Sequence, residues 1–346
     1  MAAPSDQPET PQDTRQSHFP IPLAIMQPGT VAPVNIYIRT GDAHNLYKTA
    51  NTPLRDDIRE RLLQRGVRQL YLRRQDKDAY FDYVERHITD IIRDELLPPQ
   101  EAARVVYQSS SRVMVDVFAD PRSGKNLRRA QGLVEATVMS IMKRPDSLWQ
   151  MTSVASHDYY TYTHCVNVCM FLVGASRELL GVEGEPQLRR IGLGGIFHDV
   201  GKSQVPEHIL NKPGKLTPEE FEEIKRHPAL GVELIAEQRS LSVVASAIVR
   251  SHHERYEGGG YPDGVPAEGL RDVVRLSTII DVYDALTTER CYARARSPFA
   301  ALQLMLNDMD GHFDPDLLRR FVAFLGPSQA EGPPMEALRV ASGDGE

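Results

Sequence analysis

The apolar run Ile191 to Phe197 leads straight into His198-Asp199, and Val200-Gly201-Lys202 follows. A polar group left unsatisfied in such surroundings costs roughly 1 to 3 kcal/mol. The pair therefore needs a partner, and a divalent cation is the strongest one available. On a helix Lys202 shares a face with both residues, three positions after Asp199 and four after His198. That sets a mobile cation where a phosphate oxygen would sit beside metal ligands. The competing reading is a core ion pair of Asp199 with Lys202 next to a satisfied histidine.

Five other residues extend the set. His164 opens the apolar segment Val166 to Val173, His227 precedes Pro228, His252 and His253 are adjacent, and Asp281 lies within the apolar run Leu276 to Leu286. Any of these histidines alone reads as a core residue bonded to a carbonyl. Together they crowd: seven of the 11 histidines fall between His157 and His253. A single zinc site needs only three or four ligands, so five histidines and two aspartates suit two divalent ions sharing one carboxylate. Asp199, flanked by His198, is the natural bridge. The first ion is assigned His164, His198, Asp199 and Asp281; the second takes Asp199, His227, His252 and His253. A second pair, His157-Asp158, is set aside because Tyr159-Tyr160-Thr161-Tyr162-Thr163 is not apolar enough to demand a buried cation. Two ions roughly 3.5 to 4 Å apart lower the pKa of a shared water and stabilise both the attacking and the leaving oxygen of an in-line displacement. Hydrolysis of a phosphate ester is the chemistry that most needs this, and no serine or cysteine nucleophile is then required. Imidazole and carboxylate ligands suit iron, manganese or zinc alike, so these residues do not name the metal.

The elements that must position these residues are mostly helices. At 346 residues, two domains with connecting elements are expected. Residues 1–18 read as a disordered leader without signal-peptide character. A small α+β domain is expected over 19–96, with strands Phe19 to Leu23, Val34 to Ile38 and Gln69 to Leu72 and helices near 52–65 and 76–96. Leu97-Pro98-Pro99 opens a helical linker over 97–155 with helices near 100–118 and 127–143, which pack on their neighbours or form a homodimer seam that relays a signal. Residues 156–326 read as an all-α domain broken by loops at 205–216 and 257–270, and the tail 327–346 as mobile. The fold class is thus mainly α with a small α+β domain before it. No run of eighteen apolar residues spans a bilayer, and three cysteines fit a reducing cytoplasm. A formal charge of -7 argues against a general polyanion binder such as a duplex DNA protein, so any phosphate substrate must be held by local cations. Cys165 and Cys169, one turn apart, read as small core thiols. In Glu257-Gly258-Gly259-Gly260-Tyr261-Pro262-Asp263-Gly264 the glycines let backbone approach a ligand while Tyr261 offers an aromatic face to a base.

In that order along a helical domain, His164, His198-Asp199 and Asp281 resemble the HD phosphohydrolase superfamily. His252-His253-Glu254 followed by Gly260-Tyr261-Pro262 resembles its HD-GYP branch. Three further segments match: Leu210-Asn211-Lys212-Pro213-Gly214-Lys215-Leu216-Thr217, Asp281-Val282-Tyr283-Asp284-Ala285-Leu286 and Phe313-Asp314-Pro315. The resemblance covers residues 156–325, about half the chain. It implies hydrolysis of cyclic di-GMP to pGpG, and sometimes on to GMP, at a centre of two or three metals, with iron or manganese ahead of zinc. It also implies substrate contacts from Lys202, Tyr261, Asp284 and Arg290, and a contact of the Gly-Tyr-Pro loop with diguanylate cyclases. Members with a third metal carry glutamate where this chain has Tyr160, so two ions are expected. Arg290-Cys291-Tyr292-Ala293 replaces a more usual Arg-Pro-Tyr and a basic residue; Arg290 still offers phosphate a fork of donors. The altered segment motivates one alternative, a receptor that binds a cyclic dinucleotide with little turnover; a second, a phosphodiesterase for a different cyclic dinucleotide, stays open because these residues do not specify the base.

Overall fold

The structure, a computed structural model, describes residues 17–144, 146–155, 161–236, 242–289 and 294–326. Of the expected leader only Ser17 and His18 fall within these ranges. The tail from residue 327, the His157-Asp158 pair, Tyr160 and the segment Arg290-Cys291-Tyr292-Ala293 lie outside the described residues. The chain divides into two compact units, residues 1–105 and 106–346.

In the first unit four strands make one antiparallel sheet: β1 (His18–Pro22), β2 (Ile36–Thr40), β3 (Ala43–Lys48) and β4 (Gln69–Arg73), in the order β1-β4-β2-β3. Leu70 and Leu72 of β4 are buried while their neighbours are not, the period of two of a half-buried strand. Helix α1 (Asp56–Gln64) connects β3 to β4, and α2 (Lys77–Arg93) buries Tyr80, Tyr83, Val84, Ile88, Ile91 and Ile92 at helical spacing. Phe19 meets Tyr80 edge-on at 5.7 Å, and the Tyr83 hydroxyl accepts from the Gln27 amide at 2.8 Å. Strand β3 was not expected. Its residues are largely exposed, so no apolar alternation marks it; Gly41, at φ +62°, supplies the positive φ of the two-residue turn that folds it back on β2.

The second unit is helical: the later part of α3 (Pro99–Ala119), then α4 (Gly124–Lys143), α5 (Ser147–Val154), α6 (Thr161–Leu180), α7 (Glu185–Phe197), α8 (Glu207–Leu210), α9 (Pro218–Lys225), α10 (His227–Ala236), α11 (Val243–Ser251), α12 (Asp272–Thr287), α13 (Pro298–Asn307) and α14 (Pro315–Leu325). Helix α6 is buried on every side from Thr163 to Ser176, which marks it as the centre of the unit. Each leucine or valine buried there stabilises the fold by about 1.5 to 3 kcal/mol relative to exposure. Helix α7 crosses α6 at close range because it carries glycines. A Cβ on Gly195 would lie 2.9 Å from Cys169 Cα of α6, one on Gly192 2.7 Å from Val134 of α4, and one on Gly194 2.6 Å from Ile248 of α11. Helix α4, read from the sequence as linker, is thus packed into the helical core. Among the described residues no helix is long and apolar enough to cross a membrane.

Candidate metal centre

The helical core brings seven side chains to one point. His164 projects from the first turn of α6, His198 caps the C-terminus of α7, and His227 begins α10. His252 and His253 follow the last residue of α11, and Asp281 sits within α12. The helix does not run through His198-Asp199-Lys202 as the sequence suggests. It ends at Phe197; Asp199 leaves helical geometry (φ -100°, ψ 3°), and Val200–Gln204 tightens into a 3-10 turn. Residues i and i+3 eclipse in that geometry, so Lys202 still stands over Asp199, with Nζ donating to Oδ2 at 2.6 Å. Gly201 lets α10 close on this turn, since a Cβ there would lie 1.9 Å from the His227 carbonyl oxygen.

Hydrogen bonds to obligate acceptors fix how the imidazoles face. Nδ1 of His198 donates to Gly195 O at 2.8 Å, Nδ1 of His227 to Ile224 O at 2.7 Å and Nδ1 of His252 to Val249 O at 3.0 Å. Carbonyls only accept, so these rings carry their proton on Nδ1 and turn Nε2 inward. Nδ1 of His164 is 2.7 Å from Asp284 Oδ2, the carboxylate–histidine arrangement that orients a metal ligand. The inward Nε2 atoms face one another, at 3.1 Å for His198 with His164 and 3.2 Å for His227 with His252. They also face carboxylate oxygens: His164 to Asp281 Oδ1 at 2.9 Å, His198 to Asp199 Oδ2 at 3.4 Å and His227 to Asp199 Oδ1 at 3.2 Å. Lone pairs aimed at lone pairs and at anionic oxygens repel unless cations lie among them. Asp199 Oδ1 is moreover buried without a hydrogen-bond partner. The donor set therefore fits divalent metal.

Two groups have donor atoms all within 4.8 Å of one another: His164, His198 and Asp199, and Asp199, His227, His252 and His253. Asp199 belongs to both. Asp281 faces both groups too, with Oδ1 toward His164 and Oδ2 3.5 Å from His253 Nδ1; the sequence reading gave it to the first ion alone.

Electrostatics favour ligating protonation states. Burial opposes ionisation of Asp199, but the Lys202 ammonium and His198 outweigh it and hold the carboxyl well below its usual range. Burial likewise opposes ionisation of Asp281, yet among the imidazoles of His164 and His253 that face it the carboxyl is held well below its usual range. Burial lowers His227 and His252, and burial with the neighbouring His252 holds His253 well below the usual imidazole value. Metal requires carboxylates ionised and imidazoles neutral. Cys165 and Cys169 are buried free thiols; burial pushes Cys169 up to about 12, which suits core residues and not reactive ones.

Two substrate contacts drawn from the sequence sit differently in the structure. Asp284, expected at the substrate, is 3% exposed with its carboxylate against His164, so its structural place is behind a ligand. Tyr261 stacks on the His253 ring at 4.6 Å, so one of its faces is already covered. The residue that shapes this loop, Glu254, entered the sequence reading only as part of a motif and with no role: 1% exposed, its Oε1 accepts from the amides of Asp263 at 2.7 Å and Gly264 at 3.0 Å. Its sequence signal is only its place after His252-His253. A Cβ on Gly260 would lie 2.5 Å from Glu254 Cα, so the loop folds back on the ligand helix only with glycine there. Phe313-Asp314-Pro315 proves to be a helix start, with Asp314 Oδ1 accepting from Asp316 N and Leu317 N. Arg290 lies outside the described residues.

Residues 167–317 match the family model described as HD domain. The chain is 35% identical over 226 residues to the cyclic di-GMP phosphodiesterase PA4108 of Pseudomonas aeruginosa, covering 65% of this chain and 54% of that protein. It is 39% identical to the cyclic di-GMP phosphodiesterase response regulator RpfG of Xanthomonas campestris pv. campestris, covering 42% of this chain and 38% of that one. It is also 35% identical to the 3'3'-cGAMP-specific phosphodiesterase 2 of Vibrio cholerae, over 35% of this chain and 24% of that one. The chain thus spans about half or less of the length of these relatives. In fold it is similar to Bd1817, an HDG"Y"P protein from Bdellovibrio bacteriovorus, with a TM-score of 0.60 at 18% identity over 89% of this chain and 99% of that one. With the His/Asp cluster and the Gly-Tyr-Pro loop on the same helical scaffold, residues 167–317 match the HD domain family, and the helical unit that contains them is similar to cyclic dinucleotide phosphodiesterases of the HD-GYP kind.

Proposed function

We propose that this chain hydrolyses cyclic di-GMP to linear pGpG at a centre of two divalent ions. The observation that carries the reading is one buried carboxylate, Asp199, shared by two groups of inward-facing imidazoles. His164, His198, Asp199 and Asp281 would hold one ion, and Asp199, His227, His252 and His253 the other. Bound there, two ions would supply Lewis acidity toward a phosphate and a water acidified toward neutrality. The chain's own groups do the rest. Asp284 keeps the His164 ring in register through Nδ1. Lys202, 16% exposed in its side chain, is the cation nearest Asp199 and within reach of an incoming phosphate oxygen. Tyr261, fixed by the Glu254-braced loop over His253, covers the ligand cluster and leaves an edge for a nucleobase. Iron or manganese is the expected metal.

Relatives named for 3'3'-cGAMP favour a second reading on the same chemistry, in which a different cyclic dinucleotide is the preferred substrate. One experiment addresses both. Full-length protein purified anaerobically and loaded with Fe(II) or Mn(II) is given cyclic di-GMP and 3'3'-cGAMP in parallel, and linear products are resolved by ion-pair chromatography. Faster turnover of cyclic di-GMP, abolished in His198→Ala, is the expected result; a preference for 3'3'-cGAMP moves the assignment to the second reading. No product from either nucleotide, with wild type and His198→Ala indistinguishable, overturns both.

A further inference from the structure

The sheet unit holds a cavity that plays no part in the metal chemistry. It measures about 340 Å³ and opens between β1 with the 3-10 turn Leu23–Ile25, helix α1 and the start of α3. That volume is at the small end of the range for ligand sites, roughly 300 to 1,000 Å³. Most of its wall is apolar, including Ile21, Leu23, Leu63 and Leu96. Its charged lining is three guanidiniums, Arg59, Arg68 and Arg104, against one carboxylate, Glu101. Glu101 is engaged with Arg104 at 3.0 Å, which leaves an excess of positive charge facing the cavity.

Arg59 is the buried member, at 7% exposure. One of its terminal nitrogens pairs with Asp94, and Asp94 is also held by the Leu96 amide at 2.9 Å and by Gln27 Nε2 at 3.4 Å. The Nε of Arg59 is buried with no hydrogen-bond partner. A guanidinium cannot shed its proton to relieve this, and an unsatisfied buried donor is destabilising. Nε itself is closed off from the cavity, so what the cavity presents is the surplus positive charge of its lining, with the exposed Arg68 and Arg104 beside an apolar wall, and that lining favours an anion with an apolar body.

We propose that this cavity binds a small amphipathic anion, with one carboxylate or phosphate head held by Arg59 and the rim arginines and a short apolar body against Ile21, Leu23, Leu63 and Leu96. The forked donors match either head group, and the apolar wall adds contact area that a free inorganic anion cannot use. This assignment stands whether or not the helical unit hydrolyses a cyclic dinucleotide.

The test is isothermal titration of the full-length chain with octanoate, octyl phosphate, octanol and inorganic phosphate. At least one amphiphilic anion is expected to bind one per chain with Kd below about 1 mM, and octanol and inorganic phosphate at least about tenfold more weakly. Stronger binding of octanoate than of octyl phosphate identifies a carboxylate ligand, and the reverse a phosphate ester. Leu63→Trp, which fills the apolar end, and Arg68→Ala, a change at an exposed residue, are each expected to weaken binding by about tenfold or more. Arg59→Gln is checked by circular dichroism and melting before titration, because it also breaks the Asp94 pair. Absence of saturable binding by either anion overturns the proposal, as does equal binding of octanol or unchanged affinity in both Leu63→Trp and Arg68→Ala.

Discussion

Replacing Gly201 by alanine tests whether the centre depends on the close approach of α10 to the 3-10 turn. The added Cβ would lie 1.9 Å from the His227 carbonyl oxygen and 2.6 Å from the Gly231 amide nitrogen. Ordinary contact begins at 3.4 Å, and both obstacles are backbone, so α10 must move by about 1.5 Å. His227 is the first residue of α10, so the displaced carbonyl carries the ligand with it. Its Nε2 now stands 3.2 Å from Asp199 Oδ1, and metal–ligand distances tolerate only about 0.2 Å. Gly201→Ala is thus expected to cost about 1 to 3 kcal/mol of stability through overpacking. It should also lose the ion shared by His227, His252 and His253, with turnover down by about a hundredfold or more. Gly132→Ala, in an open stretch of α4, is the control: it meets nothing within 4 Å and should leave metal and turnover unchanged. Elemental analysis per folded chain beside a turnover assay reads the outcome. Two ions and wild-type turnover in Gly201→Ala would refute the reasoning.

Asp199→Ala removes the carboxylate common to both groups and is expected to lose both ions and nearly all activity; two ions retained per chain would disprove the shared carboxylate. Lys202→Ala should keep the metal and slow turnover, because Lys202 touches Asp199 and is not itself a ligand; loss of metal would give it a structural role instead. Asp284→Ala frees Nδ1 of His164 and is expected to lower metal affinity by about 10- to 100-fold, measured by competition with a chelator, with KM nearly unchanged; a raised KM at full metal occupancy would return Asp284 to the substrate. Metal-stripped protein is expected to melt at falling temperature as pH drops from 7 to 5. His227, His252 and His253 have lowered folded values, so the unfolded chain gains protons first, below about pH 6.5, and the ionised Asp199 and Asp281 add further loss at lower pH. A melting temperature that stays level or rises over that interval counts against neutral imidazoles in the core.

The candidate ligands that stood out most in the sequence are those that break a hydrophobic pattern. His198, Asp199 and Asp281 are polar residues inside runs that otherwise read as core, and a fold tolerates such residues only when they are partnered. The roles of Asp284 and Glu254 were not legible for a related reason. Asp284 lies one turn beyond Asp281, so a shared face could be read from spacing, but which histidine it meets depends on how α12 packs against α6. Glu254 binds backbone amides nine and ten residues away, an interaction that leaves no trace in residue types. Strand β3 was invisible because an edge strand needs no apolar face. The end of α7 was missed because nothing in the residue types marks the departure at Asp199, where the chain turns into a 3-10 segment packed tightly against α10 at Gly201.

The packing of α7 and the geometry of the centre are set by the same residues. Gly195 lies against Cys169 of α6 and its carbonyl accepts the hydrogen bond from Nδ1 of His198. The helix it touches also carries His164, whose Nε2 is 3.1 Å from that of His198. The distance between α6 and α7 therefore fixes the spacing of two candidate ligands, as the distance between α10 and the 3-10 turn fixes a third. Close-packed interiors transmit small displacements instead of absorbing them. Substitutions at the helix contacts of this core should then move metal affinity before they unfold the chain, and the glycines of α7, which make no contact with the metal-facing atoms themselves, act as spacers for the ligands.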